Sequence, residues 1–175
     1  MEEKPSLGKI AMHYGAVIGF TLAIIIYLTY VLQASASQMM GYLQFFFIAA
    51  AIYVSQKKYR DEHQGGHITY GKALGFGTLT IFFASLIVGV FSYALYAFIA
   101  PEILNELIVA AEKEMKHQGL SDKEINAGFR LVNLLATPFF MSLSTVFSTT
   151  FFGFLFALAT SFLTKKDKFT FRNEP

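Results

Sequence analysis

The chain has 175 residues, 54% hydrophobic and 17% aromatic, with 14 basic and 12 acidic residues and a net charge of +2. Its mean hydropathy is +0.48, which places it in the membrane class, because a soluble domain of this size scatters charge along every element. Cysteine is absent, which excludes disulfides, thiolate metal sites and a cysteine nucleophile.

The charges gather into blocks. Residues 10–56, 73–101 and 131–164 hold no Lys, Arg, Asp or Glu. Runs of that length read as membrane-crossing helices, since a bilayer core of about 30 Å needs about 20 apolar residues at a rise of about 1.5 Å each. The expected fold is all-α: a single membrane domain over 1–175 with four transmembrane helices at about 10–32, 39–55, 72–100 and 137–164. An extracytoplasmic helical hairpin over 101–136 lies between the third and fourth.

The first run opens after Lys4 and Lys9 and ends near Ala34-Ser35-Ala36, a pattern that resembles a signal-peptide cleavage site. Its apolar segment exceeds a signal core, so an uncleaved first span is expected. Gly15 and Gly19 form a Gly-x-x-x-Gly pair that lets another backbone approach. Residues 33–38 read as a short turn. The second span contains Gln44, which needs a hydrogen-bond partner if it is buried.

A dense polar loop follows, with Lys57, Lys58, Tyr59, Arg60, His63, Gly65, Gly66 and His67. His63 and His67 are four apart, as a metal pair on a helix would be, with His13 able to approach the same face. Gly65-Gly66 between them favours a flexible turn instead, and no carboxylate cluster completes a site. Solvated loop histidines with no metal and no cofactor are therefore expected. Lys57, Lys58 and Arg60 with Tyr59 suit anionic lipid headgroups, or serve only to set topology.

In the third span Gly71, Gly75, Ser85 and Gly89 present small residues for packing, and Pro101 ends it. From 102 to 117, Ile103, Leu104, Leu107, Ile108, Ala111 and Met115 recur at helical spacing, and Gly119 is placed as a stop. Ser121-Asp122-Lys123-Glu124 matches a capping box, with Leu120 and Ile125 as its staple, opening a second helix to about Leu135. Thr137-Pro138 starts the last span. Thr145, Thr149, Gly153, Ala157 and Ser161 lie four apart along it, a helix-packing ribbon. Reading hydroxyls such as Ser144, Ser148 and Thr160 as a hydrophilic pathway is the competing view.

Ten of the 14 basic residues fall on the side shared by both termini and the central loop; the other side holds Lys113, Lys116, Lys123 and Arg130 against six acidic residues. The positive-inside rule therefore places both termini in the cytoplasm. Tyr14, Tyr53, Tyr59 and Tyr70 fall near one membrane face, and Tyr27, Tyr30, Tyr42, Tyr93 and Tyr96 near the other, as an aromatic belt would.

Tyr14-Gly15, Tyr59-Arg60-Asp61, the stretch Gly66-His67-Ile68-Thr69-Tyr70-Gly71-Lys72-Ala73, and Pro101 before an extramembrane helical segment form a familiar set. Over roughly residues 10–164 the chain resembles the domain-of-unknown-function 4199 family of small bacterial membrane proteins. That resemblance implies a four-span protein of the bacterial inner membrane and carries no catalytic or binding residue with it. No charge lies inside a span and no phosphate loop, nucleophile elbow or zinc motif is present, so no enzyme is expected. The expected role is membrane assembly or partner binding, with a small-solute transporter or channel, as a homo-oligomer, as the alternative. The partners are the bilayer and either a second copy or another membrane protein; nothing points to nucleic acid.

Overall fold

The computed structural model describes residues 6–32, 38–119 and 121–166. Among them the chain is helical throughout, apart from one isolated antiparallel bridge between Ile68 and Lys166. The elements are α1 (Leu7–Val31), α2 (Gln38–Lys58), α3 (Tyr70–Ala94), α4 (Glu102–His117), α5 (Asp122–Leu135) and α6 (Pro138–Thr164). Short π-helical turns over Tyr59–His63 and Leu95–Ile99 extend α2 and α3. The expected turn at 33–38, save Gln38 at the head of α2, lies outside the described residues, as do the Ala34-Ser35-Ala36 pattern and Leu120 of the staple.

Three helices among the described residues are long and apolar enough to cross a membrane: Leu7–Val31, Tyr70–Ile99 and Pro138–Thr164. They suit a membrane location. The second expected span, α2, has 21 residues, about 32 Å of helix. Gln44, Ser55, Gln56 and two closing lysines dilute its apolar character.

The chain separates into two compact units, one comprising residues 1–87 and 148–175, the other 88–147. In the first, α1 and α2 both lie against α3. Gly15 and Gly19 hold α1 there: a Cβ on Gly15 would stand 2.7 Å from the Thr80 carbonyl oxygen, and one on Gly19 2.9 Å from that of Ala84. Gly77 does the same for α2, since a Cβ there would strike the Gln56 amide and come within 3.2 Å of Ile52. Gly153 of α6 sits directly on Ile81. Small residues let backbones meet where lipid supplies no hydrophobic drive between helices.

In the second unit α4 and α5 pack on each other, with Gly128 under the Met115 thioether. Gly119 takes φ +71° to end α4, its amide bonding the Lys116 carbonyl at 3.2 Å. At the start of α5 the Ser121 amide and hydroxyl both donate to Glu124, at 2.9 and 2.7 Å. These bonds hold the Glu124 carboxyl below its usual range. Glu102, Glu112–Lys116 and Arg130 keep charge on this pair, whereas Leu131, Leu134 and Leu135 at the end of α5 are exposed apolar residues.

Candidate functional site

The polar loop that follows α2 folds into a defined cap on the first unit. Gly65 and Gly66 take φ +63° and +81°, a conformation open to glycine and strained for other L-residues. The Gly66 amide returns to the Arg60 carbonyl at 3.0 Å, and the paired bonds between Ile68 and Lys166, both 3.0 Å, clasp the loop to the segment after α6. Arg60 donates through Nε and Nη2 to Asp61, at 2.7 and 3.2 Å, and through Nη1 to the Thr164 carbonyl at 3.2 Å. The guanidinium holds the Asp61 carboxyl below the usual range. Beneath this fork Tyr59 stacks flat on Phe76, ring centroids 4.1 Å apart, and accepts a hydrogen bond from Gln64 at 2.9 Å. Ile10, Ala11, Ile68 and Ala73 complete that apolar layer, with Tyr14 set edge-on to Phe76.

One turn deeper lies a polar centre. Gln56 is fully buried; its amide donates to the Ala73 carbonyl at 3.1 Å and to Ser161 Oγ at 3.0 Å. Its oxygen faces the Thr164 hydroxyl at 3.3 Å, which also reaches the Thr160 carbonyl at 3.0 Å. An unpaired amide at this depth would cost several kcal/mol, so α2, α3 and α6 close around it. Charge counting passes over Gln56 because a neutral amide does not interrupt an uncharged run. Its spacing of four from Ile52 on the face that meets Gly77 is the sequence signal that could have marked it.

The residues singled out in the sequence fall in different places. His63 lies beside the Tyr59 ring, at 5.9 Å, and His67 Nδ1 is 3.0 Å from the Gly65 carbonyl. His13 is exposed on α1. Among the described residues no group of three His, Asp or Glu side chains is gathered closely enough to hold a metal ion. Lys57 and Lys58 are exposed. Gly71 and Gly75 have open space where a Cβ would stand. Along the α6 ribbon, Gly153, Ala157 and Ser161 are buried against the first unit's own helices, while Thr145 and Thr149 are half-buried.

Between α2 and α6 a groove of about 280 Å³ opens beside Thr149, lined also by Gly41, Gln44, Ser148 and Phe152. Phe45 floors it, its ring 5.1 Å from that of Phe152 and 6.1 Å from that of Phe156. Gln44 is half-buried and finds no hydrogen-bond partner among the described residues. Of the other hydroxyls, Ser144 is exposed and Thr160 donates to the Phe156 carbonyl at 2.9 Å. Thr78 and Thr80 bury hydroxyls on α3 with no partner among the described residues.

A family model described as "Protein of unknown function (DUF4199)" matches residues 13–166. The chain belongs to that family. The matched stretch begins beside Tyr14 and ends on the bridge residue Lys166, so DUF4199 takes in the loop cap, the Gln56 centre and both units. No curated protein and no solved structure matches the chain.

Proposed function

We propose that this DUF4199 protein is a four-span integral protein of the bacterial inner membrane, with both termini cytoplasmic and α4–α5 outside. It works without catalysing a reaction, by binding a second copy of itself or another membrane protein. The count of four rests on α2: it is long enough to span, and it shares the Gln56 centre with α3 and α6, two helices suited to the bilayer. The orientation rests on the ten basic residues of the loop and termini.

The observation that carries the binding role is the unpartnered Gln44 amide in the α2–α6 groove, beside Gly41, Ser148 and Thr149. In hydrocarbon an amide with no partner favours association with a helix that supplies one, and the small residues beside it admit close approach. The Gly-x-x-x-Gly pair and the lower ribbon, by contrast, are engaged inside the chain. Energy transfer between labelled copies in liposomes, and cross-linking in native membranes, should both fall several-fold in Gln44→Leu. Unchanged self-association and unchanged partner capture in that variant would remove the reading.

The same groove, with Ser148 and Thr149 in its lining, favours the small-solute pathway as a second reading. Solute flux in liposomes that stops in Gln44→Leu while association persists would select it.

A further inference from the structure

A second groove, of about 250 Å³, runs between α1 and α2. Its origin is mechanical. Gly15 and Gly19 draw α1 onto α3, and Gly77 with Gln56 draws α2 onto α3, so each is pinned to a common neighbour. The seam between them is left open, walled by Val17, Ile18, Phe47, Ala51 and Val54. From Phe47 to Lys58 the α2 wall rises about 16 Å, roughly half of a 30 Å hydrocarbon core and so the depth of one leaflet.

The polar end of the seam carries Lys58, with Tyr14 opposite. Among the described residues the Lys58 ammonium makes no hydrogen bond or ion pair. Its neighbours are engaged: Arg60 is held by Asp61 and the Thr164 carbonyl, Tyr59 is buried on Phe76, and Glu62 accepts the Tyr14 hydroxyl at 3.4 Å. Lys57 next to it adds a second exposed cation, turned toward Asp61 in its electrostatic effect. Of the basic residues of this loop, Lys58 alone combines a free charge with an apolar trough beneath it.

We propose that this seam binds one anionic phospholipid, with an acyl chain lying between α1 and α2 and the phosphate on Lys58. Charge complementarity selects an anionic headgroup, and the leaflet-deep apolar wall selects a lipid over a free anion. The proposal rests on α2 crossing the bilayer, as in the four-span reading.

The test uses the full-length protein purified in detergent and read by native mass spectrometry with equimolar phosphatidylglycerol and phosphatidylcholine. One phosphatidylglycerol should be retained, preferred several-fold. Lys58→Gln should abolish that preference, and Ala51→Trp, which fills the seam, should reduce retention of both lipids, with each variant melting near the parent. Equal retention of the two lipids, or parent-like retention in both variants, would overturn the site. Competition by glycerol phosphate would reassign Lys58 to a soluble anion. Aqueous maleimide labelling of Ala51→Cys in sealed vesicles reports on the spans separately. A labelled cysteine removes the four-span reading, whereas a protected one together with parent-like lipid retention in Lys58→Gln and Ala51→Trp removes the lipid site alone.

Discussion

Gln56 and Gly15 show how single residues set the helix contacts of the first unit. Gln56 joins α2 to Ala73 at the head of α3 and to Ser161 on α6. Hydrogen bonds within membranes are worth about 0.6 kcal/mol on average, so a shape-preserving Gln56→Leu should lower stability by about 1 kcal/mol as Ala73 and Ser161 lose a partner. Gln56→Ala also leaves a cavity and should cost about 2–3 kcal/mol. Denaturant titration of the purified protein in mixed micelles measures both, and equal losses in the two variants would count against the cavity contribution. Gly15→Leu drives side-chain atoms at the Thr80 carbonyl and the Phe83 Cβ, and since backbone cannot move aside cheaply it should destabilise by about 3 kcal/mol or more. Gly153→Leu meets Ile81 of its own chain. It should therefore lower the melting temperature at every protein concentration, rather than act only through association between copies.

At the scale of elements, two turns carry their own determinants. Gly119 ends α4 at φ +71°, where an L-residue costs about 1–2 kcal/mol, so Gly119→Val should loosen the α4–α5 pair and raise amide exchange there before it affects α1 to α3. The cap of α5 is pH-dependent. Glu124 has a folded value below its ordinary 4.5, so its contribution is present above that value and is lost as pH falls through the lower folded one. Amide exchange in the first turn of α5 should rise on acidification below about pH 4.5, and Glu124→Gln should remove that dependence. Both turns were legible in the sequence, because a left-handed stop and a capping box are local chemistry carried by adjacent residues. The π-helical turns over Tyr59–His63 and Leu95–Ile99 were not, since an extra residue per turn follows from where the chain must next pack.

Across the whole molecule, the loop after α2 is held by contacts about a hundred residues apart in sequence. Arg60 reaches the Thr164 carbonyl, and Ile68 pairs with Lys166. Arg60→Ala should release the end of α6 from the loop, seen as faster proteolysis near residues 65–67 and beyond 164, with α4–α5 unaffected. Cleavage at the parent rate would show that the Ile68–Lys166 bridge suffices.

Composition and charge spacing by themselves determined the helical class and the apolar runs, because hydrocarbon admits few backbone solutions and the uncharged lengths announce them. The DUF4199 resemblance was carried by the local motifs around Tyr14, Tyr59 and Gly66–Ala73. They also placed Gly15, Gly19 and the α6 ribbon on faces able to pack. Which face packs on which was decided only in three dimensions. Gly71 and Gly75 have open space at the Cβ position, whereas Gly77, one position to the other side of Phe76, admits Gln56. Spacing of four marked Gly71 and Gly75 and passed over Gly77, since periodicity fixes a shared face but not the partner that covers it. The same holds for the loop cations: Lys57, Lys58 and Arg60 are equivalent as charges along a chain. Only the fold turns Arg60 inward onto Thr164 and leaves Lys58 at the mouth of an apolar seam, because that difference comes from the helix each residue lies against.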